Sequence, residues 1–210
     1  MILNDIEISR LAQDGMITPY IGSLIREVTD DHRQWQDGKR TITSSGIRRV
    51  ISYGASSYGY DLRLSPKEFL IFRHVPGTVV DPKAFNPSNL EPTTLHSDEH
   101  GEFFILPAHS YGLGVAVERL ELPPDVTALF IGKSTYARCG IIANLTPGEA
   151  NWKGHLTLEF SNSSGADARL YAGEGIVQAL FFRGEPCATT YHDRAGKYQH
   201  QPEAVTLAKV

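Results

Sequence analysis

From Ser52 onward, apolar and polar residues alternate in short runs of period two. The alternation is plainest in Tyr60-Asp61-Leu62-Arg63-Leu64. Glu68 to Phe72, Phe103 to Leu106, Gly112 to Val117, Thr127 to Ile131, Leu156 to Phe160, Ala168 to Tyr171 and Val177 to Phe182 read the same way. A period of two sends successive side chains to opposite faces of a strand. The runs are broken at Pro76-Gly77, Pro107, Pro123-Pro124, Pro147-Gly148 and Gly173-Glu174-Gly175. Proline removes a ladder donor and glycine supplies turn conformations, so these are the expected strand ends. Many short strands with frequent turns predict a mainly β domain, a distorted barrel or jelly roll.

The pattern before Ser52 is different. Asn4 with Glu7 three residues later is a helix-start signal, and Gly15 suits the stop. A short N-terminal helix is expected there, with Ile6, Leu11 and Ala12 as its buried side. Residues 23 to 50 are dense in charge (Arg26, Asp30, Asp31, Arg33, Asp37, Lys39, Arg40, Arg48, Arg49) and predict an irregular solvated arm, with a hairpin near Asp37-Gly38. Val80 to Gly101 lacks periodicity and reads as a long surface loop with at most one helical turn. The whole of residues 1–210 reads as a single domain with that charged arm and a C-terminal segment, 191–210.

Composition narrows the classes. A hydrophobic fraction of 41% and a charged fraction of 21% fit a globular protein with a substantial core. The formal net charge of −4 gives no reason to expect a nucleic-acid polymer as partner. No basic-plus-apolar leader and no bilayer-length apolar run is present, so no membrane is expected and the default location is cytoplasmic. Cys139 and Cys187 do not make a disulfide framework and read as two buried thiols.

Four segments carry candidate chemistry. Gly132-Lys133-Ser134-Thr135-Tyr136-Ala137-Arg138 packs a lysine, two hydroxyls and an arginine together, a donor set that suits phosphate oxygens, or else an ordinary surface turn. Gly154-His155-Leu156-Thr157-Leu158-Glu159-Phe160 holds one carboxylate in an apolar strand, and the alternation leaves the face of Glu159 open. The segment Leu145 to Gly154, read as a hairpin, offers Glu149 to a sugar hydroxyl and Trp152 to a sugar face; the other reading makes Trp152 a core plug. The tail Tyr191 to Gln201 is polar, aromatic and glycine-hinged, either a cover for a bound triphosphate or a flexible end. A zinc deaminase signature is missing: Thr190 stands where Glu185-Pro186-Cys187 would need its second cysteine, and Leu156-Thr157 follow His155 where a glutamate is required. No catalytic metal is expected.

Taken in order, Ser52 to Asp61, Gly132 to Ile141, Gly154 to Asn162, Gly175-Ile176-Val177-Gln178 and Gly196-Lys197-Tyr198-Gln199 resemble the dCTP deaminase family of the trimeric dUTPase superfamily. The resemblance implies a dUTPase-like barrel, a homotrimer with sites between subunits, and metal-independent deamination of dCTP to dUTP and ammonia, with Mg²⁺ accompanying the triphosphate. It implies Glu159 as the general base, with Ser134 and Arg138 orienting water. It places Lys133, Ser134, Thr135, Tyr136, Ala137 and Arg138 on nucleotide, Thr157, Leu158 and Glu159 on the base, and Glu149 and Trp152 on the deoxyribose. Gln178, Tyr191, Lys197 and Gln201 fall at phosphate-contacting or lid positions. Glu149-Ala150-Asn151-Trp152 departs from the family's more usual Glu-Pro-Glu-Trp, and His200 stands where glycine is common. The competing readings are a dUTPase, a bifunctional enzyme releasing pyrophosphate, and a non-catalytic nucleotide-binding trimer.

Overall fold

The computed structural model describes residues 1–36, 39–73, 75–144 and 146–209. Helix α1 (Asp5–Gln13) starts where its cap predicts, with the Asn4 side chain accepting the Glu7 amide at 3.1 Å. Gly15 follows its C-cap at φ +94°, a left-handed conformation that glycine adopts freely. The buried side is Ile8, Leu11 and Ala12, whereas Ile6, expected inside, is exposed. Ile8 precedes Leu11 and Ala12 by three and four residues and so shares their stripe, while Ile6 falls off it.

Fourteen strands follow among the described residues. They are β1 (Ile17–Thr18), β2 (Ile25–Gln36), β3 (Lys39–Ser56), β4 (Gly59–Phe72), β5 (Leu90–Pro92), β6 (His96–Asp98), β7 (Gly101–Leu106), β8 (Tyr111–Glu121) and β9 (Val126–Gly132). A one-turn helix α2 (Ser134–Ala137) precedes β10 (Ile141–Ala143), β11 (Thr146–Gly148), β12 (Lys153–Asn162), β13 (Ala168–Tyr171) and β14 (Gly175–Arg183). Every period-two run lies inside one of these. Two of the runs belong to the single strand β4, because its register with β8 shifts between Leu64 and Phe69, around Pro66.

The large sheet runs β10-β12-β8-β4-β14-β9-β11, with β1 added to β8, β5 to β4 and β3 to β4. It curls into a half-barrel. A second sheet, β13-β7-β6, packs its apolar face on the same core. Phe69 sits at the centre, stacked on Phe104 (5.3 Å) and Phe160 (6.1 Å). Each such ring contributes roughly 1.5–3 kcal/mol by leaving water.

Three expectations need correction. Residues 23 to 50 are not irregular: β2 and β3 pair antiparallel from Ile25↔Tyr53 to Gln36↔Lys39. The turn expected at Asp37-Gly38 itself lies outside the described residues. Val80 to Gly101 is not one loop but holds a 3-10 turn (Pro87–Asn89) and the strands β5 and β6. Cys139 and Cys187 are free, as expected, but exposed rather than buried. No helix of the described residues is long and apolar enough to cross a membrane.

Candidate active site

Strand β12 carries the acid. Leu156, Leu158 and Phe160 are buried in the core, so Thr157, Glu159 and Ser161 face the other way. The face that the alternation left open is thereby fixed, with Leu158 and Phe160 on the side opposite Glu159. Glu159 instead lines a cleft of about 380 Å³, together with Glu149, Trp152, Thr157, Tyr191 and Gln201. Six residues read from three separate segments thus share one cavity.

Two neighbours of Glu159 escaped the sequence reading. Asn144 donates through Nδ2 to Tyr111 Oη at 2.5 Å and to Glu159 Oε2 at 3.5 Å. Burial, and then the Glu159 charge, push the Tyr111 phenol up to about 12. The phenol therefore keeps its proton at neutral pH and stands as a donor beside the carboxylate. Tyr111 opens β8 opposite Ser161, so register alone brings it to this face.

The segment after β11 is a link rather than a hairpin, because β11 pairs with β9 whereas β12 pairs with β8 and β10. Leu145 lies outside the described residues. The Trp152 amide donates to Glu149 O at 3.0 Å, which closes a turn through Asn151 at φ +64°. Asparagine tolerates that left-handed backbone. Trp152 is the core plug of its second reading, 5% exposed, and it also lines the cleft. Glu149 lies 3.4 Å from Arg194 of the tail.

The tail is docked over this cleft. Trp152 Nε1 donates to Tyr198 O at 2.8 Å. Gln201 Oε1 accepts from Thr157 Oγ1 at 2.9 Å, and the Thr206 amide donates to the same hydroxyl at 3.1 Å. Tyr191 Oη accepts from the Tyr198 amide at 2.9 Å, and Lys197 Nζ donates to Lys209 O at 2.6 Å. Gly154, at φ +147°, bridges Gln201 so closely that a Cβ there would lie 2.7 Å from the Gln201 nitrogen. The chain can pass only because that residue has no side chain.

The second group of candidates stands on and around α2. Tyr136 is buried, and its hydroxyl accepts the Tyr171 amide at 3.0 Å, which anchors the helix. Ser134, Thr135, Ala137 and Arg138 are left exposed. Lys133 turns the opposite way: its Nζ lies 2.5 Å from Asp61 Oδ2 and 3.2 Å from Ser52 Oγ. Burial raises the Asp61 carboxyl, and Lys133 opposes that shift. Gln178, half-buried on β14, stands between Asp61 of β4 and Ile131 of β9. Neither the 133–138 segment nor Gln178 lines the Glu159 cleft.

The site now has relatives to set beside it. A family model described as dCTP deaminase-like matches residues 25–184. The chain belongs to the dCTP deaminase-like family. A dCTP deaminase of Acidovorax sp. is 46% identical over 99% of this chain and 98% of its own length. A dCTP deaminase of Acinetobacter baylyi is 46% identical over 88% of this chain and 95% of its own. The crystal structure of 2'-deoxycytidine 5'-triphosphate deaminase from Agrobacterium tumefaciens superimposes with a TM-score of 0.52 at 16% identity, over 87% of this chain and 48% of that one. That likeness shows a shared fold with a chain about twice as long. Membership in the dCTP deaminase-like family agrees with a deaminating chemistry that needs no catalytic metal.

Proposed function

We propose that the protein is an enzyme that deaminates dCTP hydrolytically to dUTP and ammonia, taking the nucleotide as its Mg²⁺ complex. The observation that carries this reading is near-full-length identity of 46% to dCTP deaminases, joined to a cleft that gathers Glu159, Thr157, Trp152 and Gln201. Water adds to C4 of cytosine while N3 gains a proton. Glu159 takes the proton from water and delivers it to N3, then moves the adduct's hydroxyl proton to the amine, which leaves as ammonia. Tyr111 and Asn144 hold the Glu159 carboxylate in place, and Trp152 packs against the sugar, where a 2'-hydroxyl would crowd it.

Ser134 and Arg138 orient the water, and Thr135 and Gln178 hold phosphates. Because these groups do not line the Glu159 cleft of their own chain, the site is completed by two subunits of a homotrimer. Support for this comes from the separation just described and from the family's fold.

The test is incubation with dCTP, dUTP and CTP, following base, phosphate and ammonia products. Ammonia and dUTP from dCTP, with no pyrophosphate, is the expected result. Glu159→Gln keeps nucleotide binding, measured by calorimetry, and loses ammonia release by about 10²–10⁴-fold, the usual worth of a general base. Wild-type-like turnover in that variant would remove the assignment.

A further inference from the structure

Beside α2 lies a second cleft, of about 670 Å³, between the base of the β2–β3 arm and Thr135 of α2. Thr135 lines it on one side; Arg26, Arg49 and Ser52 line it on the other. Arg26 makes no hydrogen bond or ion pair with any described residue. Its position is set by a break in the arm's register between Ile25 and Glu27, the kind of bulge that re-aims a side chain. Arg49 is loosely held, its Nε 3.8 Å from Glu27, with its side chain 92% exposed. Two carboxylates also line the cleft: Glu27, which only approaches Arg49, and Glu174, which does not cancel these charges. It is already saturated by Arg48 Nη1 at 2.5 Å and the Ile51 amide at 2.7 Å.

This cleft answers a difficulty left by Lys133. The lysine of the donor-rich segment has its ammonium taken up by Asp61 and Ser52, in a pair that is largely buried. A triphosphate held at Thr135 then needs its neutralising charge from another element. Arginine supplies it best, since the guanidinium fork matches two phosphate oxygens at once.

We infer that Arg26 and Arg49, at the base of the β2–β3 arm, bind the terminal phosphates of the nucleotide and extend the phosphate cradle begun at Thr135. The inference rests on the reading of residues 133–138 as nucleotide-binding. It gives the charged arm a task in selecting triphosphates over shorter phosphate esters.

The experiment uses the full-length protein and the double variant Arg26→Ala/Arg49→Ala, with Arg26→Lys/Arg49→Lys as a charge-preserving control. Inorganic tripolyphosphate is titrated into each by calorimetry, and dCTP kinetics are measured in parallel. The alanine variant is expected to bind tripolyphosphate at least about tenfold more weakly, with the lysine variant between it and the parent. Its kcat/KM for dCTP falls by a similar factor, carried by KM, and its dependence on salt flattens. Equal tripolyphosphate binding by parent and alanine variant, or no binding by either, would overturn the inference. Absence of dCTP turnover in the parent would sink the deaminase reading instead, and the calorimetric comparison would still decide the subsite.

Discussion

The fate of individual side chains depends on which face of a strand they occupy. Lys133 and Asp61 illustrate the cost of the wrong partner. Their side chains are 11% and 5% exposed, and Asp61 Oδ1 has no partner among the described residues. Asp61→Ala would leave a buried ammonium with only Ser52 for company. We expect a loss of about 3–5 kcal/mol, read by urea denaturation, with Asp61→Asn falling short of it. Little of this was legible in the sequence. Glu159 was visible as an acid in an apolar strand, yet its face became plain only once Leu156, Leu158 and Phe160 were seen to be the core side of β12. Tyr111 and Asn144 gave no local signal at all. Their role beside Glu159 comes from pairing across strands, which periodicity within one strand cannot report.

At the scale of elements, the β runs were legible wherever one face packs on the core. The β2–β3 arm was missed because its charges mask any alternation, and β5 and β6 are three residues each, too short to show a period. The tail was legible as a polar, hinged segment, but its docking was not. That docking has an anchor in Glu203, which bonds Ser65 Oγ at 2.8 Å and pairs with Lys67. Burial raises the Glu203 carboxyl, but Lys67 and Ser65 outweigh it, so the carboxyl lies below its usual range. A carboxyl lowered by folding contributes stability above its unfolded pKa of about 4.3, and that contribution is lost as pH falls through the folded value. Protection against hydrogen exchange at residues 198–209, taken relative to the intrinsic rate at each pH, is therefore expected to be high at neutral pH and to fall below about pH 4. Glu203→Gln should show the low protection already at neutral pH. Acid-insensitive protection would count against the anchor.

At the scale of the whole molecule, the proposed reaction needs the Glu159 cleft and the α2 surface to meet, which the proposed homotrimer would achieve through a neighbouring copy. Ser134→Ala and Glu159→Gln should each be inactive alone. Denatured together in equal amounts and reassembled, they should recover about a quarter of the parental turnover, the fraction of two-subunit sites that draw an intact half from each partner. No recovery on reassembly, with trimers formed, would place both halves in one chain. Trp152 ties these levels together, since its ring belongs to the core while its nitrogen holds the carbonyl of Tyr198 in the tail. Only two tryptophans occur in the chain, the other being Trp35. With Trp35→Phe, the emission of a single indole becomes an optical gauge of whether the cover is down, readable in real time and without any added label.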